Sequence, residues 1–215
     1  MTSRRAKPLK TMLLIAIPSL ILFIIMYLLT THSNEVAFRN FMNVNFGMTN
    51  RWSKSFGPEW LIGISRDISA LGGHIDFILI VGFVSCFLFF LRENRRLTEF
   101  LFTVIGAVIL LFILKFTMNS NSPNNLFAVF FSDDLGFPSG HALTSFVLYS
   151  ALAKYSGRKL IYTSARYVIY TFAAVLIFLI GISRLFTSHT PPEVIAGWSA
   201  GLFWLSIVNH FFRKH

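Results

Sequence analysis

Two short stretches organise this chain: residues 137–141, FPSGH, and residues 183–193, SRLFTSHTPPE. Each lies at an end of a long apolar run, and each carries a histidine beside residue types that bind anions. We predict that the two stretches meet in space. The rest of the chain is then interpreted as the scaffold that holds them together at one face of a membrane.

The composition predicts a membrane protein. Of the 215 residues, 54% are hydrophobic and only 13% are charged, whereas soluble domains carry about a quarter charged residues. The apolar residues also lie in runs of membrane length. We therefore expect an all-α integral membrane protein with one domain over residues 1–215. The net charge of +10 is placed in short clusters between apolar runs, which indicates membrane orientation rather than nucleic-acid binding.

Six spanning helices are predicted from the apolar runs, at roughly 11–31, 75–91, 99–117, 141–154, 167–183 and 194–211. The first run follows a basic segment, as in a signal peptide. It is longer than the usual apolar region of about 7–15 residues, so we interpret it as a retained helix. Residues 32–72 mix aromatic and charged side chains, which predicts an external, interfacial helical segment.

Basic residues predict the orientation. Most of the 19 lysines and arginines lie in clusters at 4–10, 92–96, 154–166 and 213–214. With six spans these clusters share one side, which the positive-inside rule assigns to the cytoplasm. Both termini are then cytoplasmic and the two histidine stretches face outward. In a bacterial inner membrane, that side is the periplasm.

The first stretch has the pattern of an anion-binding helix start. Pro138 followed by Ser139, Gly140 and His141 predicts a helix N-terminus whose amide N–H groups are available to an anion. Ser139 is expected to cap the helix, and Gly140 allows a ligand to approach the backbone closely. The alternative is an ordinary helix start at which His141 has no role.

The second stretch offers a cation and an oriented histidine. Arg184 keeps its charge at the edge of lipid, and its planar fork suits phosphate oxygens. Glu193 can accept a hydrogen bond from one ring nitrogen of His189 and leave the other free to attack, or it can simply complement the helix dipole. Lys115 is a further predicted phosphate ligand, although a lone lysine there could also snorkel to the headgroups.

These residues resemble the type 2 phosphatidic acid phosphatase (PAP2) family. Its motifs are Lys-x6-Arg-Pro, Pro-Ser-Gly-His and Ser-Arg-x5-His-x3-Asp. Residues 138–141 match the second motif completely, and Ser183, Arg184 and His189 match the third in residue type. Residues 66–73 also look like the family's segment before its second helix. The resemblance extends over nearly the whole chain and implies a PAP2-like bundle.

The resemblance also implies roles for the site residues. His189 would be the nucleophile that forms a phosphohistidine, His141 the general acid, and Glu193 the group that orients His189. No cofactor or metal is implied, and the sequence has no compact cluster of metal ligands. The implied phosphate-binding residues are Lys115, Ser139, Gly140 and Arg184, with Ser122 and Ser183 as secondary candidates.

Three departures from the family pattern stand out. Ser122 takes the place of the arginine of the first motif, only four residues separate Arg184 from His189, and Glu193 replaces aspartate. Losing a charge-assisted phosphate contact costs about 1.5–3 kcal/mol, so the change at Ser122 is the most serious. Candidate replacement cations are Arg39, Arg51 and Arg66.

The function expected from this resemblance is removal of phosphate from a lipid phosphate or diphosphate, with membrane lipids as the surroundings. Transfer of the phosphate to another lipid stays open, as does a non-catalytic protein that binds or carries phospholipid headgroups. A transporter is disfavoured because inverted repeats are not evident. Two histidines favour an enzyme over a binder, because a binder needs cations but neither a nucleophile nor an acid.

Overall fold

The computed structural model describes residues 3–32, 44–45, 57–118, 136–187 and 189–213. These residues contain no β-strand, which confirms the predicted all-α class. The helices are α1, Ser3–His32; α2, Glu59–Ala70; α3, His74–Phe90; α4, Asn94–Met118; α5, Gly140–Lys159; α6, Thr163–Thr187; and α7, Pro191–Arg213.

The predicted count of six apolar spans was wrong for the described part of the chain. Five helical stretches are long and apolar enough to cross a membrane: Leu9–Thr30, Glu59–Phe90, Asn94–Met118, Thr163–Thr187 and Pro191–Phe212. The span predicted at 141–154 does form a helix, α5, but it is not among the five. Its hydroxyl, glycine, histidine and basic residues make it less apolar than those five.

Helix α5 is more polar because its neighbours cover it. It contacts α3, α4, α6 and α7, and side chains such as Leu143, Val147 and Leu148 are fully buried. A helix surrounded by other helices needs little lipid-facing surface, and small residues allow those helices to approach it closely. The lipid-facing helices show the opposite pattern, with large exposed apolar side chains such as Leu14 and Phe83.

Helix α5 runs the length of α4 in the opposite direction. Its first residue, Gly140, lies against Lys115 near the end of α4. Near its other end, Lys154 pairs with Glu99 close to the start of α4, with 2.5 Å between Nζ and Oε1. The bundle therefore has two ends, which we call the histidine end, at Gly140, and the basic end, at Lys154.

The first helix also joins the bundle. Helix α1 packs along α7, and the rings of Phe23 and Tyr27 lie 5.3 Å and 5.4 Å from the ring of Phe137. The second half of α1 is thus at the histidine end. Phe137, which precedes Pro138 in the first stretch, is thereby held in a buried aromatic cluster.

The interfacial segment predicted at 32–72 lies largely outside the described residues. Its described part includes α2, which buries Ile62, Ser65 and Ser69 and packs against α6. A turn at residues 71–73 joins α2 to α3. A methyl group on Gly72 would lie 2.7 Å from Ile180 Cγ2 and 3.6 Å from the His141 carbonyl oxygen. Glycine thus lets this turn approach α5 and α6 closely.

Candidate active site

A backbone hydrogen bond joins the two histidine stretches. The N–H of Ser139 donates to the carbonyl oxygen of Glu193 at 3.0 Å. One turn further along α7, a methyl group on Gly197 would lie 2.7 Å from the Ser139 carbonyl oxygen. The absence of a side chain at Gly197 therefore lets the start of α7 lie directly against the start of α5.

Glu193 orients His189 and caps its own helix. The Nδ1 of His189 lies 3.0 Å from Glu193 Oε2, and the N–H of Thr190 donates to the same oxygen at 2.8 Å. Thr190 precedes Pro191, the first residue of α7, so the glutamate makes the backbone contact of a capping box. With Nδ1–H donating to the carboxylate, Nε2 of His189 carries the lone pair.

The shortened spacing is accommodated where α6 ends. Helix α6 continues to Thr187, beyond Arg184. The N–H of His189 then donates to the carbonyl oxygen of Arg184 at 2.9 Å. This bond spans five residues and folds the chain back at the helix end, so that both residues belong to one tight turn.

Burial controls the charge of His189. The pKa of His189 is held below its ordinary value, chiefly because burial removes the hydration of the imidazolium. The hydrogen bond and charge of Glu193 act in the opposite direction, whereas Arg184 and Lys115 lower the pKa further. The neutral ring is the form in which a nitrogen lone pair is available.

Helix α2 supports Arg184. The Nη1 of Arg184 donates to Ser69 Oγ at 2.9 Å across 115 residues of sequence. The neighbouring Ser183 donates its hydroxyl proton to the Ile180 carbonyl oxygen within α6. Ser183, a secondary candidate, thus uses its proton inside its own helix, while the guanidinium is held from a second element.

Lys115 and the start of α5 lie together. A methyl group on Gly140 would lie 3.8 Å from Lys115 Nζ. Ser139 occupies the N-cap position, but its side chain makes no capping hydrogen bond, contrary to our expectation. Its Oγ is instead buried and has no hydrogen-bond partner among the described residues. The hydroxyl and the amides that open α5 therefore lie beside a lysine ammonium.

His141 is close to the other site residues. Electrostatic interactions link it with Arg184, His74, His189 and Lys115. Five predicted site residues form this cluster, and their relative exposures are only 0% to 6%, so bulk water hardly reaches them. They are Ser139, Lys115, Arg184, His189 and His141. The structure thus gathers the predicted site residues of α4, α5, α6 and α7 at one end of the bundle.

Sequence reasoning missed two nearby residues. Ser69 bonds Arg184, and the ring of His74 lies 5.5 Å from that of His141 in an edge-on arrangement, 78° between planes. Ser69 lies in the stretch 66–73 that resembles the family, but no role was predicted for it, and His74 follows that stretch directly. The available signal was the Gly72-Gly73-His74 run directly before an apolar span.

Some predictions fall outside the described residues, namely those for Ser122, Arg39 and Arg51. Arg66 is described and is exposed on α2. In the part of the chain that the structure covers, no group of three or more His, Cys, Asp or Glu side chains is placed to hold a metal ion.

Fold and geometry define an integral membrane helix bundle with a buried cluster of histidines and cations at one end. The sequence model of the PAP2 superfamily matches residues 96–215, more than half of the chain. The protein therefore belongs to the PAP2 superfamily, as the motifs indicated.

A solved structure shares the fold. It is the first transmembrane PAP2-type phosphatidylglycerolphosphate phosphatase, from Bacillus subtilis, to which this chain aligns with a TM-score of 0.73. The two are 22% identical, and the alignment covers 93% of this chain and 96% of that one. A search of curated proteins found no match.

Proposed function

We propose that this protein is a lipid phosphatase that hydrolyses a lipid phosphate or diphosphate through a phosphohistidine. The observation that carries the proposal is the buried His189–Glu193 pair, 3.0 Å apart, within electrostatic reach of His141. A protein that only binds phosphate would need the cations Arg184 and Lys115. It would not need an oriented, neutral imidazole.

In the first step, Nε2 of His189 attacks phosphorus. The N–P bond forms while the bond from phosphorus to the leaving oxygen breaks, and His141 gives its proton to that oxygen. Glu193 holds Nδ1–H and stabilises the positive ring as it forms. Arg184, Lys115 and the Gly140 amide are placed to bind the remaining phosphoryl oxygens, where the charge of the transition state is spread.

In the second step, water attacks the phosphorus of the phosphohistidine. His141, now deprotonated, takes a proton from the water, the N–P bond breaks, and inorganic phosphate leaves. Both histidines return to their starting states. A second lipid alcohol in place of water would give phosphate transfer by the same route.

The distribution of charge supports an outward-facing site. The basic clusters at 92–96 and 154–166 lie on and beside the turns that join α3 to α4 and α5 to α6, both at the basic end. By the positive-inside rule that end faces the cytoplasm, and the histidine end faces outward, toward the periplasm in a bacterial inner membrane. Substrate would then be drawn from the outer leaflet.

The test is phosphate release from a panel of lipid phosphates and diphosphates by the purified protein in detergent. We expect release by the wild type and by His210→Ala, which changes a histidine on the last turns of α7, far along the helix from Glu193. We expect none above background from His189→Ala. Equal release by the wild type and His189→Ala would refute the mechanism, and no release from any lipid by the wild type would refute the enzyme.

A further inference from the structure

The corner between α2 and α3, residues 69–74, reaches the site from a part of the chain that precedes the matched residues 96–215. Ser69 accepts a hydrogen bond from Arg184, and Gly72 packs against Ile180 and the backbone of His141. His74 opens α3 directly after this turn. The corner is thus fixed at both of its ends to the helices that carry the site.

His74 lies beside His141, the proposed acid. Its ring is 5.5 Å from the ring of His141, edge-on, and His74 acts electrostatically on His141. Asp76, the acid in the same helical turn, acts on Tyr149, about two turns along α5 from His141. The half-buried His74 side chain therefore adds a third imidazole at the His141 side of the site.

The position of His74 beside His141 places it near the leaving group of the proposed reaction. His141 protonates the leaving oxygen, so a side chain next to His141 lies near whatever that oxygen carries. In a lipid monophosphate the oxygen carries carbon. In a lipid diphosphate it carries a second phosphate, whose oxygens accept hydrogen bonds from an imidazole.

We infer that His74 is a specificity-determining residue that binds the leaving phosphate of a lipid diphosphate. This inference rests on the proposed function. In the reaction, the bond between His189 Nε2 and the terminal phosphorus forms while the bond from that phosphorus to the bridging oxygen breaks. The His141 proton passes to the bridging oxygen, and lipid monophosphate departs. Water then releases inorganic phosphate from His189.

The arrangement of cations and hydrogen-bond donors supports the same substrate class. Arg184 and Lys115 bring two cationic side chains, and His141 and His74 bring two imidazoles, to the histidine end of the bundle. A diphosphate carries more negative charge than a monophosphate and spreads it over two groups. A site with basic side chains on both the attacking and the leaving side of phosphorus matches that distribution.

The test compares farnesyl diphosphate with farnesyl phosphate, which share one chain, using the full-length protein in detergent. We expect His74→Leu, which removes the hydrogen-bond donor, to lower kcat/KM for the diphosphate about tenfold or more, the usual effect of losing a charge-assisted hydrogen bond. The monophosphate rate should change less than about threefold by the same scale. His74→Arg supplies a hydrogen-bond donor at this position and should keep the preference for diphosphate, and His210→Leu is the matched control.

Equal losses on both substrates, or no loss on either, would overturn the role of His74. A measurement on the wild type is independent of how the variants fold: methylenediphosphonate should inhibit at least about tenfold more strongly than methylphosphonate, and equal inhibition would contradict the inference. If the protein hydrolyses farnesyl phosphate but substitution of His74 changes neither rate, the role of His74 is refuted and the proposed function still holds. No release from either substrate would refute both.

Discussion

At the scale of single residues, Glu193 connects three parts of the site. Its carboxylate accepts hydrogen bonds from His189 Nδ1 and from the Thr190 amide, and its carbonyl oxygen accepts one from the Ser139 amide. One residue thus orients the proposed nucleophile, caps α7 and anchors the start of α5. The contact to His189 also shows that glutamate reaches the imidazole from this helix position.

The first prediction concerns His141 as general acid. His141→Ala should reduce hydrolysis of an alkyl phosphate about a hundredfold to ten-thousandfold. Hydrolysis of p-nitrophenyl phosphate should fall by less than about tenfold, because its leaving group departs without a proton. The kcat/KM values on the two substrates measure this difference, because kcat/KM reports the step that forms the phosphohistidine and not the later attack of water, in which His141 also takes part. Equal losses on both would assign His141 to phosphate binding instead.

The second prediction concerns the charge of His189. Because Glu193 raises the pKa of His189 against the effect of burial, Glu193→Gln should lower that pKa further. The acid limb of kcat/KM should move to lower pH, while the rate falls about a hundredfold or more through loss of orientation. The pH profile of kcat/KM, recorded for the wild type and the variant on the same substrate, measures both effects. The ionisation of the substrate then contributes equally to both profiles. A limb that moves to higher pH would contradict the account.

At the scale of elements, the site depends on how closely α7 approaches α5. The carbonyl oxygen of Ser139 would lie 2.7 Å from a methyl group on Gly197, and the Ala142 Cβ 2.8 Å. Neither the Ser139 backbone nor the Ala142 methyl group can rotate away from an added side chain. The starts of these helices carry Glu193 and His141, so any separation of the helices changes the distance between proposed nucleophile and acid.

A third prediction follows for this helix contact. Gly197→Val should force α5 and α7 apart, destabilise the protein by about 1–3 kcal/mol through overpacking, and reduce phosphate release. The control is Gly82→Val on α3, where nothing lies within 4 Å of an added methyl group. Thermal unfolding in detergent and phosphate release measure the two effects. Equal behaviour of the two variants would show that the close approach is unimportant.

The helices show which features apolarity alone could predict. The run predicted at 75–91 corresponds to His74–Phe90, and the run at 167–183 lies within Thr163–Thr187. The observed helix is longer in the second case, because its first and last turns contain polar residues such as Thr163 and Arg184, which an apolar run does not include. Helix α5 was located, yet its status as an apolar span was wrong, since protein rather than lipid covers it.

At the scale of the whole molecule, the predicted catalytic residues and the basic clusters at 92–96 and 154–166 lie at opposite ends of the bundle. The predicted catalytic residues occupy the histidine end. The other end carries the basic clusters and the Glu99–Lys154 pair. Lys154 Nζ also donates a 2.6 Å hydrogen bond to Asn209 Oδ1 of α7. The two ends are separated by the length of α3, about 25 Å for its 17 residues.

The fourth prediction concerns orientation. In a Cys86→Ser background, which removes the single native cysteine, Leu71→Cys and Arg92→Cys place thiols before and after α3. A membrane-impermeant maleimide added to intact bacterial cells should label the cysteine at 71, and should label the one at 92 only after permeabilisation. The reverse pattern would place the histidine end in the cytoplasm.

The site was predictable only where residues lie in local motifs. His141, Arg184 and His189 belong to stretches in which proline, glycine and neighbouring charges indicate their surroundings. Ser69 and His74 meet the site through tertiary packing, and the Ser69–Arg184 bond crosses 115 residues. A single sequence contains no periodicity that reports such a contact, because it depends on how the turn at 71–73 packs against α5 and α6.

The central claim, that His189 carries the phosphoryl group, is tested most directly by trapping it. Excess protein is mixed with a lipid phosphate labelled with radioactive phosphorus, quenched in alkali at short times, and digested for peptide mapping. The account predicts label on the peptide that contains His189 before free phosphate appears, and none in His189→Ala. Free phosphate that forms with no label on the protein at any time, or label that persists in His189→Ala, would contradict it.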